Sequence, residues 1–193
     1  MKKYLINPFE IYHDKKIFIL GIVLNLIGVL LCFQFNMKFI GFLKLDFVSH
    51  ITFLQALLQI VMITFSLSIL LFIVGKILNP KTRLIDILNS SLLAIIPFYL
   101  LTFFNISDFI FDGLAKLKSL ILTQKLENVP VYDLPVIIVF SIFTIVILIW
   151  SIIILYQGFK TATNSKEVKH KVYFGVAVIL ADVMSRFLIS NLN

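Results

Sequence analysis

Long apolar runs alternate along this chain with short segments that hold most of its charge. Five runs, at about 17–35, 50–78, 84–104, 134–156 and 172–190, are long enough to cross a bilayer as helices. A hydrocarbon core of ~30 Å takes about 20 residues at a rise of ~1.5 Å each. The pattern predicts an all-α fold, a polytopic bundle of five transmembrane helices with short interfacial helices, built as one membrane domain over 1–193.

Each segment adds detail to this outline. Residues 1–16 carry Lys2, Lys3, Lys15 and Lys16, with Phe9, Ile11 and Tyr12 between them. Asn7-Pro8 has the form of a helix start. The segment reads either as an interfacial helix or as a basic leader without regular structure. The first run is too long for a secretory h-region and has no small-x-small cleavage motif after it, so it is expected to remain as a span. Within it Gly21, Asn25 and Gly28 share one helical face, where small residues let a second helix approach and Asn25 can hydrogen-bond across. Between Asn36 and Ser49, Phe, Ile and Leu alternate with Lys38, Lys44 and Asp46. That stretch is too short and too charged to cross, and reads as an interfacial connector.

In the second run Gln55, Gln59 and Ser66 lie near one face and are expected to point at other helices, and Asn79-Pro80 ends it. The third run opens with Arg83 and Asp86 and places Asn89, Ser90 and Ser91 one turn in. Pro97 near its centre removes a backbone donor, which in a membrane a neighbouring side chain can make good. This span is expected at the centre of the bundle, with Pro97 either a hinge, a cavity lining or a fixed kink. Residues 105–133 follow as an outer amphipathic connector, with Phe109 or Ile110, Leu114, Leu117 and Ile121 at helical spacing and Asp112 and Lys116 on the other side. It is expected to stop before Asn128-Val129-Pro130. The fourth run begins with Pro135 in its first turn, flanked by Tyr132 and Tyr156 at the two interfaces. The fifth carries a small-residue stripe for helix packing, Ala177, Ala181 and Ser185. It also carries Asp182 and Arg186, four apart and able to pair.

Composition excludes a soluble domain: 60% of the residues are hydrophobic and only 14% charged, with a mean hydropathy of +1.05. Soluble domains average about 45–50% apolar and about 25% charged. The net charge of +7 is not gathered on one water-facing element, as a nucleic-acid surface requires, so no nucleic-acid partner is expected. It follows topology instead. With the loop around Lys160, Lys166, Lys169 and Lys171 on the cytoplasmic side, 11 of the 17 Lys and Arg fall inside and 6 outside. Inside, Glu10, Asp14, Asp86 and Glu167 leave 11 − 4 = +7; outside, six acids leave 6 − 6 = 0. The positive-inside rule therefore puts the N-terminus in the cytoplasm and the C-terminus outside.

Chemistry-bearing motifs are missing: no HExxH, GxSxG, GxGD, phosphate-binding loop or CxxC occurs. His13, His50 and His170 lie at three different membrane edges, and the lone Cys32 sits inside the first run. No catalytic, cofactor-binding or metal residues are assigned, and the chain is read as a non-enzyme. The candidate functional residues are a polar intramembrane cluster of Asp182, Arg186, Asn25, Asn89, Gln55 and Gln59. Asp182 and Arg186 read either as a structural ion pair or as an ion or proton site.

Three stretches resemble the Yip domain family, the Ypt/Rab-interacting five-span membrane proteins. They are NPFEIYHDKK before the first span, LIDILNSSLLAIIPFYL in the third, and the helix–loop–helix from Trp150 through GFKTATNSKEVKHKV. The resemblance is to a short, bacterial-type member, in keeping with the Ile-, Phe-, Lys- and Asn-rich composition, and implies residence in a bacterial inner membrane. It implies a role in membrane organisation or trafficking-like processes through lipids and an unidentified membrane or cytoplasmic protein partner, with an oligomer open; its eukaryotic members are associated with small GTPases and vesicle traffic. The alternative is a small transporter or channel subunit built on a polar cavity around Asp182, Arg186 and the third span.

Overall fold

A computed structural model describes residues 8–10, 13–123, 133–165 and 167–192. The readings of Asn7 as a cap, of Asn128–Pro130 as a helix stop and of Tyr132 as an interface residue fall outside these. Among the described residues five helices are long and apolar enough to cross a membrane. The first is α1 (Asp14–Gln34) and the second is α2 (Phe53–Leu78). The third span starts as α3 (Leu84–Ile95) and continues as a 3₁₀ helix (Ile96–Asp108). A shorter helix, α4 (Phe109–Thr123), follows, and then the last two spans, α5 (Asp133–Thr163) and α6 (Val168–Ser190). α1, α5 and α6 each expose a row of large apolar side chains, among them Leu26, Ile145 and Ile179. Such continuous apolar faces are rare on soluble monomers and suit contact with lipid. The architecture is that of a multi-pass helical membrane protein.

Three corners are made by short polar residues in the left-handed backbone region: Asn36 after α1, Asp108 as the last residue of the 3₁₀ helix and Asn164 after α5, with φ of 53°, 56° and 50°. Asn and Asp tolerate that conformation better than other side chains. The second span begins at Phe53 rather than near His50, because Thr52 caps it. The Thr52 hydroxyl accepts from the Gln55 backbone N–H, and the Gln55 side chain accepts from the Thr52 N–H, a reciprocal capping box. α5 has 31 residues, or ~46 Å at ~1.5 Å each, so it extends well past a ~30 Å core.

The connector between the first two spans is folded differently from the expected surface segment. Met37–Phe39 (β1) and Leu45–Phe47 (β2) form an antiparallel hairpin, with Lys38 opposite Asp46. Side chains alternate faces along a strand. Met37, Phe39 and Phe47 are buried beneath the hairpin, while Lys38 and Asp46 lie opposite each other in the register. Phe39 and Phe42 stand edge-on to Phe98, with centroids 5.9 and 5.8 Å away. The hairpin thus closes one end of the bundle against the third span.

The third span is the interior element: 72% of its apolar stretch is buried, against 44% at most in the other four. It touches α1, α2 and α5, whereas α6 packs chiefly along α2. At one end of the molecule Arg83 bridges Asp14 at 2.6 Å, and Asn79 donates to the Thr163 carbonyl at 3.1 Å. The start of α1, the 79–83 turn and the end of α5 therefore meet. At the other end Asn105 donates to the Phe35 carbonyl at 2.9 Å and accepts from the Phe111 N–H. In α4 it is Ile110, not Phe109, that turns inward.

Candidate functional site

The six polar residues singled out in the spans are distributed among four separate arrangements, each with its own partners. Asn25, on α1, has its amide filled. Its Nδ2 donates to the Gly21 and Leu92 carbonyls at 2.7 and 2.9 Å, and its Oδ1 accepts from the Tyr99 hydroxyl at 2.7 Å. Gly21 and Gly28 flank this contact. A Cβ at Gly21 would meet Leu92 at 3.1 Å, and at Gly28 it would overlap the Tyr99 ring. The two spans can approach closely enough for the Asn25–Tyr99 bond because these positions have no side chain.

Asn89 belongs to the opposite neighbourhood, at the end where Arg83 lies. Its Nδ2 donates to the Asp14 carbonyl at 3.1 Å, and it lines a small recess with Asp14, Arg83, Asp86 and Thr161. Arg83 there bonds both Asp86 and Asp14. Hydrogen bonds to Asp86 and then Asp14 raise its pKa further above the usual guanidinium range. Gln55 is spent on the capping box and does not reach another helix. Ser66, from the same row, donates back to the Met62 carbonyl of its own helix at 2.8 Å.

Gln59 and Asp182 share a task the sequence does not announce. Gln59 Oε1 accepts from the Phe39 N–H in β1 at 3.0 Å. Asp182 Oδ1 accepts from the Leu43 N–H at the hairpin tip at 2.8 Å, and Oδ2 pairs with Arg186 at 2.6 Å. Asp182 is 4% exposed, whereas the Arg186 side chain is 43% exposed. A Cβ at Gly41 would lie 2.6 Å from Asp182 Oδ1, so glycine lets the tip seat against α6. α2 and α6 therefore clamp the hairpin from two sides through its own backbone. Ala177, Ala181 and Ser185 are buried on α6, whose main neighbour is α2.

Pro97 sits second in the 3₁₀ helix, where an i→i−3 bond would run from its missing N–H to the Ala94 carbonyl. Ser151 of α5 donates its hydroxyl to that carbonyl, supplying the bond proline cannot make. Beyond it the side chains follow a three-residue period, as 3₁₀ geometry requires. Leu100, Phe103 and Ile106 are exposed, while Tyr99, Thr102 and Asn105 are buried. The polar row bonds to Asn25, to the Tyr99 carbonyl and to Phe35. Tyr99, Thr102 and Asn105 escape a search tuned to 3.6-residue spacing; the period of three is the signal that would find them.

Among the described residues no group of three or more His, Cys, Asp or Glu could hold a metal ion. A cavity of about 720 Å³ lies between α1, the third span and α5, and its walls are overwhelmingly apolar. None of the six candidate residues lines it. The fold and these sites define a class, the multi-pass α-helical membrane proteins. Compared with models of known families, with curated proteins and with solved structures, the chain finds no match in any of the three.

Proposed function

We propose that this protein is a Yip-like membrane component that works through contacts with lipids and other proteins, without turnover of its own. In this reading the end that joins Asp14, the 79–83 turn and Thr163 faces the cytoplasm, following the positive charge of those segments. One observation carries the proposal most. Asp182, the buried acid of the last span, is committed on one oxygen to Arg186 and on the other to the hairpin backbone. A carboxylate so occupied is a fastener. Intramembrane ionisable groups that move ions face a bundle interior or a water-filled path. Asn25, Gln59, Tyr99 and Asn105 are likewise engaged in bonds between elements, the usual work of polar side chains in membrane bundles.

The test is reconstitution of the purified protein into liposomes, with proton, monovalent-cation and small-solute flux followed by entrapped indicators. Flux at the level of protein-free vesicles is expected. Flux above that level, lost in Asp182→Asn, would replace this reading with a transporter.

A further inference from the structure

The apolar cavity between α1, the third span and α5 is a groove on the membrane-facing side, and its shape and charge select a ligand. Its α1 wall is set by Ile17, Leu20, Leu24, Ile27 and Leu31, one face of that helix. From Lys16 to Leu31 this face runs 15 residues, or ~22 Å at ~1.5 Å each. Ile96 and Phe103 face it from the third span, and Trp150 and Ile154 of α5 form the floor. Leu20, Ile27, Leu100 and Phe103 are exposed, so the groove is open sideways to the bilayer over a length greater than the ~15 Å of one leaflet. A single hydrocarbon chain is thin enough to lie in it.

One end of the groove is not apolar. Lys16 lines it there, in the first turn of α1 and so at the level of the headgroups. Among the described residues its ammonium meets no carboxylate. The acid two positions earlier, Asp14, is bound to Arg83 at 2.6 Å and does not neutralise it. A cation at headgroup depth above an apolar furrow complements a phosphate joined to an acyl chain. We infer that this groove is a binding site for an anionic phospholipid, one acyl chain along α1 and the phosphate at Lys16. The inference rests on the membrane-spanning architecture of the proposed function and is independent of whether the protein conducts solutes.

Native mass spectrometry of the full-length protein in detergent, titrated with phosphatidylglycerol or phosphatidylcholine, tests the site. One phosphatidylglycerol should bind per chain, roughly five-fold more tightly than phosphatidylcholine, the factor that ~1 kcal/mol from one surface lysine supplies. Lys16→Gln should remove that preference, and Leu24→Trp, which fills the furrow, should weaken both lipids. A photoreactive phosphatidylglycerol with its diazirine on the chain reads the wild type directly and should label the 16–31 and 96–103 stretches. Equal binding of the two lipids, a preference untouched by Lys16→Gln, or labelling spread evenly over all lipid-facing helices would each overturn the assignment. So would displacement of the lipid by glycerol phosphate, since the headgroup alone would then be the ligand. Solute flux, the readout for the function proposed above, is measured in none of these arms.

Discussion

At residue scale the account turns on Asp182. Its pairing with Arg186 follows from spacing alone, since residues four apart on a helix are neighbours. Its second bond does not, because Leu43 is 139 positions away and only the fold brings them together. Asp182→Ala removes both and should cost about 2 kcal/mol, below the usual figure for breaking a buried pair because Arg186 is partly solvated. Asp182→Asn keeps an acceptor for the Leu43 N–H and should cost less. Combining Asp182→Ala with Arg186→Ala should recover only part of the loss, since the hairpin N–H stays unpaired. Thermal and denaturant unfolding in detergent measures these differences. Additive losses in the double variant would mean that the two side chains are not coupled. Legibility had the same limit at Gln59: its place inside a span marks it as a bonding group, but its partner is a backbone amide whose strand is only three residues long.

Among the elements, the long helices were the easiest to read and the hairpin the hardest. Apolar length and proline or asparagine stops place the five spans within a few residues, because lipid leaves the backbone few other options. The largest end difference is in α5, read to about Tyr156 but running to Thr163, because polar residues beyond the core can continue a helix. The alternation of Lys38 and Asp46 with Met37, Phe39 and Phe47 is a strand pattern. It reads as a surface connector only while the cover for its apolar face, Phe98 and Phe140, is unknown. Pro97 is legible as an interruption, but the switch to 3₁₀ geometry and the help from Ser151 are not. That help predicts a dependence. Ser151→Ala should cost about 1 kcal/mol through the unpaired Ala94 carbonyl. In a Pro97→Ala background, where position 97 has an N–H of its own, the same change should cost much less. Equal costs in the two backgrounds, by unfolding in detergent, would show that the hydroxyl does not compensate the proline.

For the whole molecule, charge pattern and packing agree on which segments share an end. The basic segments assigned inside by charge, around Asp14, Lys81 and Lys160, are those joined by the Arg83–Asp14 and Asn79–Thr163 contacts. The hairpin and Asn105, from connections assigned outside, gather at the opposite end. An odd number of spans separates the termini, and the positive-inside reading assigns the net charge of +7 to one face of the membrane. Sequence is a good guide here because insertion responds to charge as residues, before any tertiary contact forms. Everything proposed above, from the fastener role of Asp182 to the lipid furrow beside Lys16, is placed by this five-span frame. It is tested most directly by fusing a reporter active only in the cytoplasm after Lys81, after Ser165 and after Asn193. Activity at the first two and none at the third is the predicted result. Activity after Asn193 would contradict the five-span frame.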